Sequence, residues 1–248
     1  MPSLSRRITA LAFLALTLAG CGNSNPYQGM EAEQLYALGR QKYEARDWDD
    51  AIKALDRLLM SFASAERAPE ARLLLANAYY GKRDYLTARS EYQRYLDRYA
   101  GYPDAPTAAL GTCTSLVALS PNPNRDQNYT NEALGVCRNV VVDYAGTPQA
   151  EQAAGLANDM RRKLAEKEFL AADYYFRRKL YDSAIIYYEF VVELYPESEW
   201  APQALLGIYH ANKVIGYDDL ADEAKGRLLS KYPDSPAAAE VRTNGSSS

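Results

Sequence analysis

An internal repeat constrains the fold of this chain more than any other feature of its sequence. Three segments align without gaps: RDWDDAIKALDRLL (46–59), RDYLTARSEYQRYL (83–96) and KLYDSAIIYYEFVV (179–192). In each, an aromatic residue stands three positions before an alanine, and two looser copies occur elsewhere. Successive alanines are 37, 45, 51 and 37 residues apart, at Ala51, Ala88, Ala133, Ala184 and Ala221. A period of this size indicates stacked structural repeats.

A second helical run precedes each of these segments, and a turn that usually contains proline follows it. Examples of the preceding run are LLLANAYYGKR (73–83) and FLAADYYFRRK (169–179), which have apolar and small residues at helical spacing. Proline suits the following turn because it cannot continue a helix but fits the first turn of the next one, as in Thr147-Pro148. No segment has a convincing strand pattern, so the sequence predicts an all-α fold of paired helices, A and B.

The order of large and small residues in these pairs resembles that of the tetratricopeptide repeat (TPR) family. The first copy matches through Leu35, Leu38, Gly39, Tyr43, Trp48, Ala51 and Leu55, and the fourth through Ala172, Tyr175, Tyr181, Ala184, Tyr188 and Pro196. The resemblance implies about five TPRs stacked in a right-handed solenoid with one concave and one convex face. Small residues on helix A, such as Gly39 and Gly111, are expected where helix B of the same repeat crosses closest.

The repeats divide into two predicted modules. Residues 147–179 contain no proline after Pro148 and predict one long helix, whose second half is helix A of the fourth repeat. We therefore expect an N-terminal module of repeats one to three at 31–146 and a C-terminal module of repeats four and five at 147–240. The chain ends in small polar residues, which predict a disordered tail over 241–248.

The N-terminal residues 1–20 predict a signal peptide. Two arginines precede a twelve-residue apolar run, Ile8–Ala19, which is too short to span a bilayer and is followed by glycines. A buried core helix is the alternative, but it leaves the arginines before the run and the glycines after it unexplained.

The end of this segment resembles the lipobox of bacterial lipoproteins. The residues are LAGC (18–21), and in lipoproteins the chain is cleaved before the cysteine, whose thiol then carries lipid. The resemblance implies lipidation of Cys21 and a flexible tether over 21–30. Glycine rather than aspartate at position 22 implies delivery to the outer membrane, with the body of the chain facing the periplasm.

The charge and the inventory of reactive side chains favour neither an enzyme nor a nucleic-acid-binding protein. Removal of the two arginines in residues 1–20 reduces the 28 basic residues to 26, against 32 acidic ones. No basic excess remains for nucleic acid or an anionic lipid surface. The only histidine, His210, lies in a predicted helix, and no glycine-rich loop opens a helix after a strand. We expect no catalytic residue, no metal site and no cofactor.

Two cysteines besides Cys21 stay in the mature chain, Cys113 and Cys137. The periplasm permits a disulfide, but the sequence does not supply the separation of the two Cα atoms. A disulfide and a pair of small buried hydrophobic side chains therefore both stay open.

The resemblance to TPRs also implies a peptide-binding groove lined by helix A residues. The candidate residues are Tyr36, Arg40 and Tyr43 in repeat one, and Asn77 and Tyr80 in repeat two. Tyrosine has an apolar face and a hydroxyl group, the arginine fork fits a carboxylate, and the asparagine amide can bind a peptide backbone at two atoms. This set suits an extended segment with aromatic residues and a terminal carboxylate. Ordinary packing between helices is the alternative for several of the tyrosines.

The lipobox, the short tether and five such repeats together resemble the BamD family of outer-membrane lipoproteins. The most specific segments are YEARDWDDAIKALDRLL (43–59), the enlarged turn of repeat three and the long helix that enters repeat four. The resemblance implies a non-enzymatic scaffold of the β-barrel assembly (BAM) machinery. Its C-terminal repeats, with Tyr187 on the partner face, would bind the POTRA domain of BamA, and other BAM lipoproteins are further implied partners. Its N-terminal repeats would bind the C-terminal signals of unfolded outer-membrane proteins. A lipid anchor would hold it to the inner leaflet of the outer membrane.

Another TPR lipoprotein scaffold of the outer membrane is the alternative, either a pilotin for a secretin or a coordinator of peptidoglycan synthesis. Pilotins generally lack the Tyr-Pro turn repeats and the long fourth-repeat helix that this sequence has.

Overall fold

The computed structural model describes residues 27–244, which form eleven α-helices and no strand. The predicted signal peptide, Cys21, residues 21–26 of the tether and residues 245–248 lie outside the described residues. The helices are α1 (Ala32–Glu44), α2 (Trp48–Ser61), α3 (Ala68–Gly81), α4 (Tyr85–Tyr99), α5 (Ala105–Leu119), α6 (Asn128–Asp143), α7 (Pro148–Arg177), α8 (Tyr181–Leu194), α9 (Trp200–Ile215), α10 (Asp218–Lys231) and α11 (Pro236–Asn244).

Helices α1 to α10 form five consecutive helix–turn–helix pairs. Each helix packs against the next one along the chain, and each odd-numbered helix also contacts the next odd-numbered helix. The odd-numbered helices are therefore the A helices of a solenoid, and the even-numbered ones up to α10 are the B helices. The predicted all-α TPR solenoid is confirmed.

The turns between helices A and B have the same backbone conformation in the three repeat segments that align without gaps. Arg46, Arg83 and Lys179 occupy the same turn position, and each has a positive φ, of 59°, 67° and 62°. Gly216 has a φ of 93° at the turn between α9 and α10. One left-handed residue thus reverses the chain in four of the five pairs, and glycine adopts that conformation with the least strain.

Tyrosine rings from B helices lie against glycines of the following A helices. A Cβ atom built on Gly111 would lie 2.5 Å from the ring of Tyr92, and one built on Gly207 would lie 2.5 Å from the ring of Tyr188. Tyr92 belongs to the repeat before that of Gly111, so at Gly111 a side chain would first meet the preceding repeat. At Gly39 it would first meet helix B of the same repeat, since an added Cβ would lie 2.7 Å from Leu55.

The long helix α7 takes part in two hydrophobic clusters. Its first half contributes Ala153, Ala157 and Met160 to a cluster with α5 and α6. Its second half packs, through Phe169 and Ala172, in a cluster with α8, α9, α10 and α11. At the start of α7, the hydroxyl oxygen of Thr147 accepts a hydrogen bond from the backbone N–H of Ala150 at 3.2 Å, the capping role that the Thr147-Pro148 sequence predicts.

Both ends of the described chain are more ordered than the sequence predicts. Residues 241–244 belong to α11 instead of the predicted tail, because Ala237, Ala238 and Val241 are buried against α9 and α10. At the other end, residues 27–30 of the predicted tether form a turn, and Tyr27 and Met30 pack against the cluster of α1, α2 and α3.

A disulfide joins Cys113 on α5 to Cys137 on α6, with the two Cα atoms 5.0 Å apart. Both cysteines are fully buried. The bond therefore links helix A to helix B inside the third repeat, whose connecting turn is the longest among the five pairs.

Substituting alanine for glycine at two positions should have opposite effects on the free energy of unfolding. Gly111→Ala places a methyl group into the buried Tyr92 ring and should lower this free energy by about 1–3 kcal/mol, the usual cost of overpacking. Gly135→Ala fills open space on the exposed face of α6 and should raise it by up to about 1 kcal/mol through helix propensity. Urea unfolding followed by circular dichroism measures both. Equal effects of the two substitutions would contradict the close contact.

Removing the disulfide should destabilise the chain through the loop that it closes. The two cysteines are 24 residues apart, and loop closure of this size contributes roughly 3 kcal/mol. The variant Cys113→Ala/Cys137→Ala should lose about that much in urea unfolding compared with the oxidised chain. As a control, a thiol reductant present throughout unfolding should lower the stability of the wild-type chain and leave the variant unchanged.

Candidate peptide-binding site

The candidate groove residues from repeats one and two lie on α1 and α3. Tyr36, Arg40 and Tyr43 are spaced four and three residues apart, which places them in one stripe along α1, roughly 10 Å long. Asn77 and Tyr80 are three residues apart on α3, the neighbouring helix A. The stripe and the pair are therefore presented by two adjacent helices.

Tyr43 and Tyr80 each contact an aromatic ring on the other side of the turn that follows their helix. The ring of Tyr43 contacts that of Trp48 edge to face, with centroids 5.4 Å apart. Tyr80 makes the same contact with Tyr85 at 5.2 Å. Each pair joins the last turn of a helix A to the first residue of its helix B, so both tyrosines are half-buried and fixed in direction.

Tyr92 joins Tyr43, Asn77 and Tyr80 into one polar cluster. Its hydroxyl donates a hydrogen bond of 2.6 Å to Asn77 Oδ1. Burial raises the pKa of Tyr92, and the nearby hydroxyls of Tyr43 and Tyr80 raise it further. Sequence reasoning missed Tyr92 as part of this site. Its position four residues after Ala88, which corresponds to that of Tyr188 after Ala184, is the signal that could have found it.

The contact with Tyr92 orients the amide of Asn77. Its side-chain oxygen accepts one hydrogen bond, whereas its amide nitrogen has no partner in the part of the chain that the structure describes. Asn77 can therefore donate to a peptide carbonyl, and its oxygen keeps one lone pair for a peptide N–H.

The structure places Tyr36 in a different environment from Tyr43. The guanidinium of Arg67 lies over the Tyr36 ring, 5.3 Å from its centroid. Arg67 also pairs with Glu33 at 3.2 Å and with Glu70 at 2.7 Å. Burial, followed by the charge of Glu70, raises the pKa of Tyr36. Its ring thus packs between α1 and the start of α3, and only part of it faces the groove.

Arg40 lies between the two tyrosines with most of its side chain in solvent. Its only ion pair within residues 27–244 is with Glu44, one turn further along α1, at 3.3 Å, and 61% of the Arg40 side chain is exposed. A surface pair of this kind is weak. The guanidinium is therefore free to bind an incoming carboxylate.

Tyr187, the candidate residue of the partner face, lies at the centre of an aromatic patch on α7 and α8. We define this aromatic patch as Tyr174, Tyr175, Tyr187 and Phe190. Tyr187 stacks on Tyr175 with centroids 5.2 Å apart and an interplanar angle of 16°. It contacts Phe190 edge to face at 5.8 Å, and Phe190 and Tyr174 are both exposed. The rings are thus ordered by one another while a large part of their surface meets solvent.

The remaining candidates are placed as follows. Cys21 lies outside the described residues, and Cys113 and Cys137 form the disulfide described above. His210 Nε2 lies 3.2 Å from Glu240 Oε1, which links α9 to α11.

Residues 27–244 contain no group of His, Cys, Asp and Glu side chains that could hold a metal ion. In the same stretch, no helix combines the length and the apolar character needed to cross a membrane.

Comparison with known proteins adds a family to this geometry. The family model described as YfiO, outer membrane lipoprotein, matches residues 28–228. The outer membrane protein assembly factor BamD of Caulobacter vibrioides is 26% identical over 229 residues, 90% of this chain and 75% of that protein. A putative BamD of Aquifex aeolicus is 25% identical over 96% of this chain and 82% of its own length.

Among solved structures, the TPR2AB domain of yeast Sti1 is similar with a TM-score of 0.48 and 15% identity, over 82% of this chain and 78% of that one. The match of the family model covers most of the sequence and runs from the turn before α1 into α10. The chain therefore belongs to the YfiO family of outer membrane lipoproteins.

Proposed function

We propose that this chain is a non-enzymatic scaffold of the β-barrel assembly machinery. In this role it receives unfolded outer-membrane proteins and passes them on for folding and insertion. The names of the relatives, which are outer membrane protein assembly factors, support this role. Lipid on Cys21 would hold the chain to the inner leaflet of the outer membrane, facing the periplasm.

The observation that carries the proposal is the cluster of Tyr43, Asn77, Tyr80 and Tyr92 beside the exposed Arg40. The rings of Tyr43 and Tyr80 are half-buried and that of Tyr92 is buried. Among the described residues, the amide nitrogen of Asn77 has no partner and Arg40 has one weak ion pair. An extended peptide that ends in an aromatic residue offers the matching groups: a ring, backbone carbonyls and a terminal carboxylate. We therefore assign the C-terminal signals of unfolded outer-membrane proteins to this groove.

The aromatic patch is the proposed surface for the POTRA domain of BamA. Interfaces between proteins are enriched in exposed aromatic side chains, which bury a large area at a low entropic cost. The rings of Tyr187 and Tyr175 are already ordered by stacking on each other, so little further ordering is needed on binding. Other BAM lipoproteins remain proposed partners without an assigned surface.

Substitutions in the groove should weaken binding of a signal peptide. We expect the double variant Arg40→Ala/Tyr43→Ala to bind a labelled peptide ending in Phe about tenfold more weakly, since it loses one aromatic contact and one exposed ion pair. Fluorescence anisotropy measures the affinity. Amidation of the peptide's C-terminus should remove the contribution of Arg40 but not that of Tyr43. Tyr129→Ala, on a partly exposed tyrosine of α6, should leave the affinity unchanged. Wild-type affinity of the double variant would rule out this site.

Substitutions in the aromatic patch should weaken binding to the POTRA domain. We expect Tyr187→Ala/Phe190→Ala to reduce the affinity at least tenfold, the size of effect typical of central aromatic contacts. Calorimetry with the isolated POTRA domain gives the value, and Val142→Ala, on a highly exposed side chain of α6, serves as the control. A pull-down of the mature chain that recovers a secretin and no BamA would instead favour the alternative of a pilotin.

A further inference from the structure

A groove with a mostly apolar floor, which also contains the buried Asn212, lies between α8 and α10 in the C-terminal repeats. Its volume is about 380 Å³. The floor includes the buried side chains of Ile208 and Ala224, and the walls include Ile186, Tyr217 and Leu220, each at least half exposed. A row of exposed apolar side chains above an apolar floor is unusual for a surface that meets only water.

The groove and the aromatic patch share no residue but adjoin along α8. Glu189 lines the groove, whereas Tyr187, two residues earlier, stacks on Tyr175 of α7, and these two positions differ by about 200° around the helix. Ile186 on the groove wall and Phe190 of the aromatic patch, however, are four residues apart and lie on the same face of α8.

The rim of the groove is acidic, although Asp182 and Asp219 lie in the first turns of α8 and α10, where the helix dipole partly offsets their charge. Arg227 donates to both carboxylate oxygens of Glu189, at 2.6 and 2.8 Å, and this bidentate pair is neutral. Asp182 and Glu223 also line the groove, and neither has an ion pair among the residues that the structure describes. Asp219, likewise unpaired, lines an adjoining depression that shares Tyr217 and Leu220 with the groove.

We propose that this groove binds a basic amphipathic helix of a partner protein. Leucine-like side chains at positions i, i+3, i+4 and i+7 of such a helix would lie between Ile186 on one wall and Tyr217 and Leu220 on the other. Lysine or arginine side chains beside that apolar stripe would meet Asp182, Asp219 and Glu223. An anionic lipid surface does not fit, because the rim would repel it. The assignment goes beyond the proposed signal groove and POTRA surface and depends on neither.

A synthetic peptide tests the chemistry of the groove in the mature chain. The probe is a fluorescein-labelled 18-residue helix with leucine at the stripe positions and lysine elsewhere, titrated by anisotropy. Leu220→Ala should weaken binding about fivefold to tenfold, because it removes part of an apolar contact. Glu223→Lys should weaken it by a similar factor at low salt and much less at high salt. Leu86→Ala removes a leucine that is 51% exposed on α4, against 50% for Leu220, and should have no effect.

Three results would overturn the proposal. The first is equal affinity for a peptide with glutamate in place of lysine, which would show that charge plays no part. The second is unchanged affinity of both groove variants when circular dichroism shows that they are folded. The third is a dimer of the chain alone in sedimentation that Leu220→Ala dissociates, which would make the groove a contact between two copies. Selective loss of lysine-peptide binding in the two groove variants, with the Leu86→Ala control unaffected, supports it.

Discussion

At two junctions of this solenoid, the contact between a helix B tyrosine and the backbone of the next helix A sets the spacing of the repeats. Tyr92 lies on Gly111 and Tyr188 on Gly207, in each case too close for any Cβ atom. Because the ring meets bare backbone, each tyrosine is buried in the junction between repeats. The hydroxyl of Tyr92 donates a hydrogen bond to Asn77. The side chain that determines the distance between repeats two and three therefore also orients the amide of the candidate peptide site.

The third repeat has a disulfide-bonded cysteine at the position where the first, second and fourth repeats have a large packing side chain. Tyr92, Tyr188 and Leu55 each follow their repeat's alanine by four residues, and in repeat three that position is Cys137. A cysteine is too small to reach the neighbouring helix as a tyrosine does, but its bond to Cys113 holds helices A and B of the repeat together. The enlarged turn of this repeat is held separately, by Gln127 donating to the backbone carbonyls of Asn122 and Arg125.

The sequence predicts the helices well because their apolar period and their turn residues agree. It predicts less of what depends on neighbours in space. The hydrogen bond from Tyr92 to Asn77, 15 residues earlier, depends on how α3 and α4 pack, which the sequence pattern does not specify. Helix α11 is missed because it is short and its apolar residues are few and small, and the burial of Ala237, Ala238 and Val241 comes from α9 and α10. Gly207 likewise looks like any helical glycine until the ring of Tyr188 is placed against it.

The long helix α7 fixes the N-terminal and C-terminal surfaces relative to each other. With 30 residues it is about 45 Å long, and its two halves belong to different clusters. The turn after α8 also packs back on its first half: Arg161 lies over the ring of Tyr195, 5.2 Å from its centroid, and donates to the carbonyl oxygen of Leu194 at 2.7 Å. A bend between the modules would have to break these contacts as well as the helix. The continuous helix and these contacts therefore disfavour a hinge within α7.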